Sequence, residues 1–195
     1  MWPVLRLGWA RGGRAVGVLD AWIVYERISE RLEHVHPIRE GGAFRYSVRR
    51  HRGPAVVLRD HGWVGKGATI VELHLDNRRF AELTRTGTHP MRMMRLFRED
   101  LRALAALIEG GALGPVAALH GVSLAAPATR GAGFEVRALP RTLHRNLERF
   151  FFAGLLLLYN SGGWRSVERQ ADRWPAEAWM SAGELRRRYG ARARK

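Results

Sequence analysis

Glu72, His74 and Asp76 occupy every second position of Thr69 to Asn77, which reads Thr-Ile-Val-Glu-Leu-His-Leu-Asp-Asn. Alternation along a β-strand puts these three on one face and Val71, Leu73 and Leu75 on the other. Side chains two residues apart lie about 6.5 to 7 Å apart, so Glu72 and His74 can meet or can reach one ligand between them. An acid beside an imidazole suits acid–base catalysis or half of a metal site. It equally suits a buried polar network in which Glu72 orients His74 and the strand is pinned to a helix. The residues alone leave both readings open. In either, a buried Glu72 carboxylate needs a partner, because burying it unpaired costs several kcal/mol, and arginine is the obvious candidate.

Arg92, Arg95, Arg98 and Arg102 are the second candidate set. They fall largely on one side of a helix expected from Pro90 to Gly110, and guanidinium groups bind phosphate and carboxylate in a bidentate fork. The plainer account is a solvated face compensated by Glu99 and Asp100. A nucleic-acid groove would gather aromatic rings along such a face, whereas the seven tryptophans are scattered through the chain. His34 and His36 have metal-like spacing, but they sit where a helix is expected to end before Pro37, which suits a cation at a helix C-terminus. His61 reads as an exposed turn residue, and His120 and His144 as packing residues. No metal site and no cofactor are expected.

Several chemistries are excluded. The chain has no cysteine, which removes disulfides, zinc thiolates and thiol nucleophiles. Gly121-Val122-Ser123-Leu124-Ala125 lacks the second glycine of a nucleophile elbow. Gly65-Lys66 is followed by Gly67 rather than Ser or Thr, so it is not a P-loop. Neither HExxH nor a dinucleotide fingerprint occurs.

The 195 residues carry a formal charge of +15, and all but two of the 33 basic residues are arginine, the lysines being Lys66 and Lys195. A GC-rich source explains much of the arginine, but not the shortage of acids, so an anionic partner is in view: an envelope polymer, a membrane surface or, less favoured, nucleic acid. The longest apolar run, Phe150 to Tyr159, is half the roughly 20 residues that a membrane span needs. No signal peptide is legible, because Arg6, Arg11 and Arg14 interrupt the start. A cytoplasmic or membrane-peripheral location is expected.

The elements follow from periodicity. Residues 1–18 read as a loosely ordered Arg/Gly-rich terminus, 19–190 as one domain and 191–195 as a basic tail. A helix is expected from Asp20 to about His34. Strands are expected over Phe44–Val48, Ala55–Leu58 and Thr69 onward, joined by turns at Gly53-Pro54, at Asp60-His61-Gly62 and between Gly65 and Gly67. Further strands are expected over Pro115–His120 and Phe134–Ala138, an apolar helix over 141–159 and a polar loop over 160–176. Ser181 with Glu184 forms a capping box for a terminal helix that Gly190 closes. The fold class is mixed α/β (α+β): a single mixed sheet with an antiparallel N-terminal meander and helices packed on it.

The run Arg52-Gly53-Pro54, Leu58, Asp60, Gly62, Gly67 and Glu72-Leu73-His74-Leu75-Asp76-Asn77 resembles the YkoP-like domain. Gly121-Val122-Ser123 before Gly133-Phe134-Glu135-Val136 fits it, as does the close from Trp179-Met180-Ser181 through Glu184-Leu185 to Tyr189-Gly190. The resemblance spans about residues 20–190. It implies a domain found alone or fused to bacterial polysaccharide deacetylases, and hence an association with cell-envelope polysaccharide metabolism. It departs from the family pattern at Ala68, His61 and Asn160-Ser161, so only Glu72, His74 and Asn77 are carried over as ligand-binding residues. The deacetylase catalytic motif is absent from this chain. The expected function is a non-catalytic accessory or binding domain engaging an anionic polymer. The alternatives are a small enzyme that uses Glu72 and His74 as an acid–base or metal-binding pair, and a sequence-independent nucleic-acid binder.

Overall fold

Branched and aromatic residues in alternation set up the strands, and glycine and proline set where they stop. The computed structural model describes residues 34–76, 79–80, 82–83, 90–123, 126–139 and 175–194. The chain divides into two units, Met1–His34 and Val35–Lys195, and the described elements belong to the second. In order these are β1 (His36–Pro37), β2 (Phe44–Arg50), β3 (Val56–Val57), β4 (Trp63–Val64), β5 (Thr69–Leu75), α1 (Pro90–Glu109), β6 (Ala118–Ser123), a 3-10 segment (Ala126–Ala132), β7 (Glu135–Ala138), β8 (Ala176–Ser181), α2 (Ala182–Tyr189) and a closing 3-10 segment (Ala191–Arg194). The helices expected at 20–34 and 141–159 lie outside the described residues.

Six strands form one mixed sheet in the order β1-β2-β5-β6-β8-β7. Its N-terminal part is antiparallel, β5 and β6 are parallel, and α1 is the crossover that a parallel pair requires. The fold class is therefore the one the sequence implies. One strand differs. Ala55–Leu58 contributes only Val56–Val57, which pairs with Trp63–Val64 as a separate hairpin. The reason lies at Gly53-Pro54. The β2–β5 ladder continues past Arg50 through His51 N–H to Ala68 O (2.8 Å) and Gly67 N–H to His51 O (2.7 Å), and then the chain turns away. β2 and β5 thus pair directly. Two further corrections follow. The strand expected at 115–120 runs from Ala118 to Ser123, and Ala176–Ser181, between the expected polar loop and the terminal helix, forms strand β8, which the sequence does not suggest. His36 does not end a helix: it lies in β1 opposite Tyr46, with ring centroids 5.8 Å apart.

Register divides the sheet into two faces, because cross-strand partners project to the same side. Phe44, Tyr46, Val71, Leu73, Leu119, Ala178 and Met180 share one face, and on it pack Phe97, Leu101, Leu104 and Ile108 of α1 and Leu185 and Tyr189 of α2. Phe97 lies between Phe44 and Phe134, at centroid distances of 4.5 and 5.7 Å. Pro90 fits the first turn of α1, where its missing N–H costs nothing. At the other end Gly111 turns left-handed (φ 75°), with Gly111 N–H to Ile108 O (3.2 Å) and Ala112 N–H to Leu107 O (3.1 Å), the Schellman arrangement. Ser181 caps α2 by accepting from Glu184 N–H at 2.9 Å. The reciprocal half of the expected capping box is not what the Glu184 carboxylate does, for it accepts from Arg187 and Arg188. Gly190 has φ −67°, so its role is not a left-handed turn; a side chain there would collide with Glu109 and the Arg186 carbonyl.

Asp100, expected on the charged outer face of α1, is instead fully buried. Its Oδ2 accepts from the N–H groups of Ala43 (2.9 Å) and Phe44 (3.1 Å), and its Oδ1 lies 2.6 Å from Arg39 Nε. Gly42 is required here, since a Cβ would stand 2.6 Å from that oxygen. Burial raises the carboxyl's pKa, against the pull of Arg39 and the two N–H groups. One side chain thereby fixes the entry of β2 against the middle of α1. Asp100→Ala is expected to cost roughly 3 to 5 kcal/mol, because it strands a cation, the buried Ala43 N–H and the half-buried Phe44 N–H. Urea melts check this; a loss under about 1 kcal/mol would show that water satisfies those groups.

Candidate functional site

The face of the sheet opposite α1 carries the chemistry. β5 supplies Glu72 and His74, as the alternation predicts, but the row does not continue along the strand to Asp76. Asp76 lies past the strand end and caps the next turn: its Oδ1 accepts from Arg79 N–H (2.9 Å) and its carbonyl from Phe80 N–H (2.8 Å). Asn77 lies outside the described residues. The row runs across the strands instead. Ser47 of β2 is opposite Glu72, Glu72 opposite His120 of β6, His120 opposite Trp179 of β8, and Trp179 opposite Glu135 of β7. Neighbouring strands are about 4.8 Å apart, so these side chains stand within reach of one another.

Each member has a defined neighbour. Arg49 Nε grips the Glu72 carboxylate at 2.9 Å, the arginine partner that burial demands. Ser47, fully buried, shares a hydrogen bond with His74 Nε2 at 3.1 Å. His120 sits between two carboxylates, with Nδ1 3.9 Å from Glu72 and Nε2 3.9 Å from Glu177, beyond hydrogen-bond reach of both. Its ring packs on Trp179 at 4.2 Å, and His51 meets the same indole edge-on at 5.6 Å. The Trp179 Nε1–H donates to Glu177 at 3.1 Å, and His51 Nε2 pairs with the Pro54 carbonyl at 2.8 Å.

Burial pushes the His120 imidazole down to about 4, and the positive fields of His51, His74 and Arg49 act in the same direction. At neutral pH His120 is therefore a neutral ring despite its acidic flanks. The sequence alone marks it as a lone packing residue. That is right about the packing on Trp179 and silent about the carboxylates, since only the β5–β6 register brings His120 beside Glu72. Arg49, Glu177 and Trp179 were missed for the same reason.

The β3–β4 hairpin covers part of this face. Leu58 and Val64 pack with Ile70, Ala118 and Trp179 into a second, smaller core. The hairpin is tied down by Ser181 Oγ–H donating to Asp60, by Arg59 N–H donating to Glu135, and by Arg137 donating to the Val57 carbonyl. Ser181 thus caps α2 and anchors the hairpin with one hydroxyl. Among the described residues, no group of three or more His, Asp or Glu side chains is arranged to hold a metal ion. Arg92, Arg95, Arg98 and Arg102 are elsewhere, on the exposed side of α1. Arg95 pairs with Glu99 at 3.3 Å. Arg98 and Arg102 act, with Arg188 of α2, on the buried Tyr189, whose hydroxyl donates to Ala132 O at 2.8 Å.

Among the described residues, helices pack on one face of a mixed sheet and a polar row, partly covered by the hairpin, crosses the other. The chain belongs to the YkoP domain family, whose model matches residues 16–189. It matches no curated protein and no solved structure.

The depressed pKa of His120 has a consequence for stability. Between about pH 4 and 6.5 the unfolded chain holds a proton at this position that the folded chain does not. The contribution is therefore fully present above 6.5 and is lost as pH falls toward 4. His120→Asn should remove about 2 to 3 kcal/mol of the stability difference between pH 7 and pH 4.5. Denaturant melts of both proteins at the two pH values check this; an unchanged difference would mean that His120 is protonated in the fold.

Proposed function

We propose that the chain is a non-catalytic binding domain that engages an anionic polymer through the solvent face of α1. The family resemblance ties that role to bacterial cell-envelope polysaccharide metabolism, with a polysaccharide deacetylase as functional associate. One observation carries the reading. Arg92, Arg98 and Arg102 line the exposed side of α1 with no acid ion-paired to them among the described residues, and the field of Arg98 and Arg102 reaches Tyr189 of α2. Such a stripe is a surface for a repeating anion, which the guanidinium fork suits. The non-catalytic part rests on the polar row, whose groups are engaged in holding the sheet together: Glu72 by Arg49, His74 by Ser47, Trp179 by Glu177.

A second reading, a small enzyme, draws on Glu72 and His120. A neutral imidazole 3.9 Å from a carboxylate has the parts of a general base and its orienting acid. Its ring is packed on Trp179, which favours the structural role.

The test is binding of a polyuronate glycan and of single-stranded DNA across a salt series. Wild-type binding should weaken as salt rises, because counterions are released on binding. The Arg92→Gln/Arg98→Gln/Arg102→Gln protein should bind more weakly and show a salt slope shallower by about 2 to 3. A glycan response without a DNA response supports the envelope reading, and the reverse supports a nucleic-acid binder. Equal affinity in the triple variant would overturn the α1 surface.

A further inference from the structure

The β3–β4 hairpin turns two faces in opposite directions. Leu58 and Val64 point onto the sheet and are buried, while Val57 and Trp63, cross-strand partners, remain 54% and 64% exposed. An exposed tryptophan beside an exposed valine is an apolar patch rather than a scattered surface residue. The hairpin holding it is fixed, not free: Asp60 to Ser181, Arg59 to Glu135 and Arg137 to Val57 fasten it along its length. Gly65 leaves room for the indole, since a Cβ there would stand 2.9 Å from Trp63 Nε1.

Cations stand at both ends of the patch. Arg59 is exposed at the tip of the hairpin. Arg50, Arg52 and Lys66 are exposed at its base, where Arg50 donates to the Gly67 carbonyl at 3.1 Å. The one carboxylate of this segment, Asp60, is turned onto Ser181 and Gly62 N–H, and the nearby Glu135 pairs with Arg137. The patch is thus apolar in the middle and positive around it.

We infer that the outer face of this hairpin docks on an anionic lipid bilayer, with Trp63 and Val57 entering the headgroup boundary and Arg50, Arg52, Arg59 and Lys66 facing lipid phosphates. An indole is suited to that boundary because it is apolar in body and carries one N–H. Surface binding of this kind scales with buried apolar area plus attraction to anionic headgroups. Other occupants fit less well. A second copy of this chain brings the same cations and a charge of +15 to meet them. Single-stranded nucleic acid wants successive rings to stack its bases, and among the described residues Trp63 is the one aromatic side chain in the exposed apolar set; Val57 has no stacking role. No helix among the described residues is long and apolar enough to cross a membrane, so the contact is a peripheral one. This surface lies on the opposite side of the sheet from α1.

Co-sedimentation with phosphatidylcholine vesicles, with and without a quarter of phosphatidylglycerol, tests the inference. The full chain should bind the anionic vesicles and not the neutral ones. Trp63→Ser/Val57→Ser should bind them about tenfold more weakly. Both positions are exposed, so an unaltered denaturation midpoint certifies the fold. Vesicles with brominated acyl chains should quench wild-type emission more than that of Trp63→Phe. The α1 triple-Gln variant should retain most of its vesicle binding, so loss of polymer binding there and loss of lipid binding here are separate results. The inference is overturned if wild type ignores anionic vesicles at low salt, if the double variant binds them equally, or if the double variant loses polymer binding while lipid binding is unchanged.

Discussion

A carboxylate on the central strand of a sheet must be neutralised where it stands, and the pairing of Glu72 with Arg49 is what allows this chain to build β5 as it does. β5 has neighbours on both sides, so Glu72 cannot swing to an open edge. Arg49 lies one strand away and closes on it at 2.9 Å. The consequences spread along the row. With the charge of Glu72 taken up by Arg49, His120 on the next strand can stay neutral and pack against Trp179. The indole N–H of Trp179 then takes up Glu177. The opposite face of β5 is left wholly apolar for α1. An acidic residue at the centre of the sheet is therefore a reason for the register, rather than a defect that the register tolerates.

Asp100 plays the matching part on the other face. A charged group inside a helix–sheet core is a burden unless it is paired, and this one accepts from the backbone of the β2 entry through Oδ2 and is ion-paired with Arg39 through Oδ1. The buried Asp100 and the half-buried Glu72 act on opposite sides of the sheet. Asp100 sets where β2 begins relative to α1, and Glu72 is bonded to the far end of β2 through Arg49. The hairpin is a third device: it covers part of the polar face with Leu58 and Val64 and leaves Val57 and Trp63 exposed on its outer side.

Much of this was legible in the residues. The helix from Pro90 to the Gly110-Gly111 stop, the strand at Thr69, the N-cap at Ser181 and the mixed sheet all follow from local spacing and capping chemistry. What the spacing could not give is anything decided by register. Period-two alternation put Glu72 and His74 on one face, but that Asp76 departs from it depends on where the strand ends. The place of His120 beside Glu72 depends on a parallel pairing with a strand more than forty residues away. Asp100 looked like one more surface acid among arginines, because helical periodicity at Asp100 and Leu101 does not say which of two neighbours turns inward. Strand β8 was hidden because Ala-Glu-Ala-Trp-Met-Ser is short and begins beside Pro175.

The groups of the polar row are bonded to one another across the sheet, and the two surfaces proposed for recognition, the arginine side of α1 and the exposed side of the hairpin, lie outside it. A double-mutant cycle on Arg49 and Glu72 tests that claim most directly. Arg49→Ala, Glu72→Ala and the double variant are melted in denaturant and their losses compared. The structural account predicts that each single substitution destabilises, and that the double costs less than the sum by about 1 kcal/mol or more, since the pair is lost only once. Additive losses, or single variants as stable as wild type, would contradict it and return Glu72 to the role of a group held ready for a ligand.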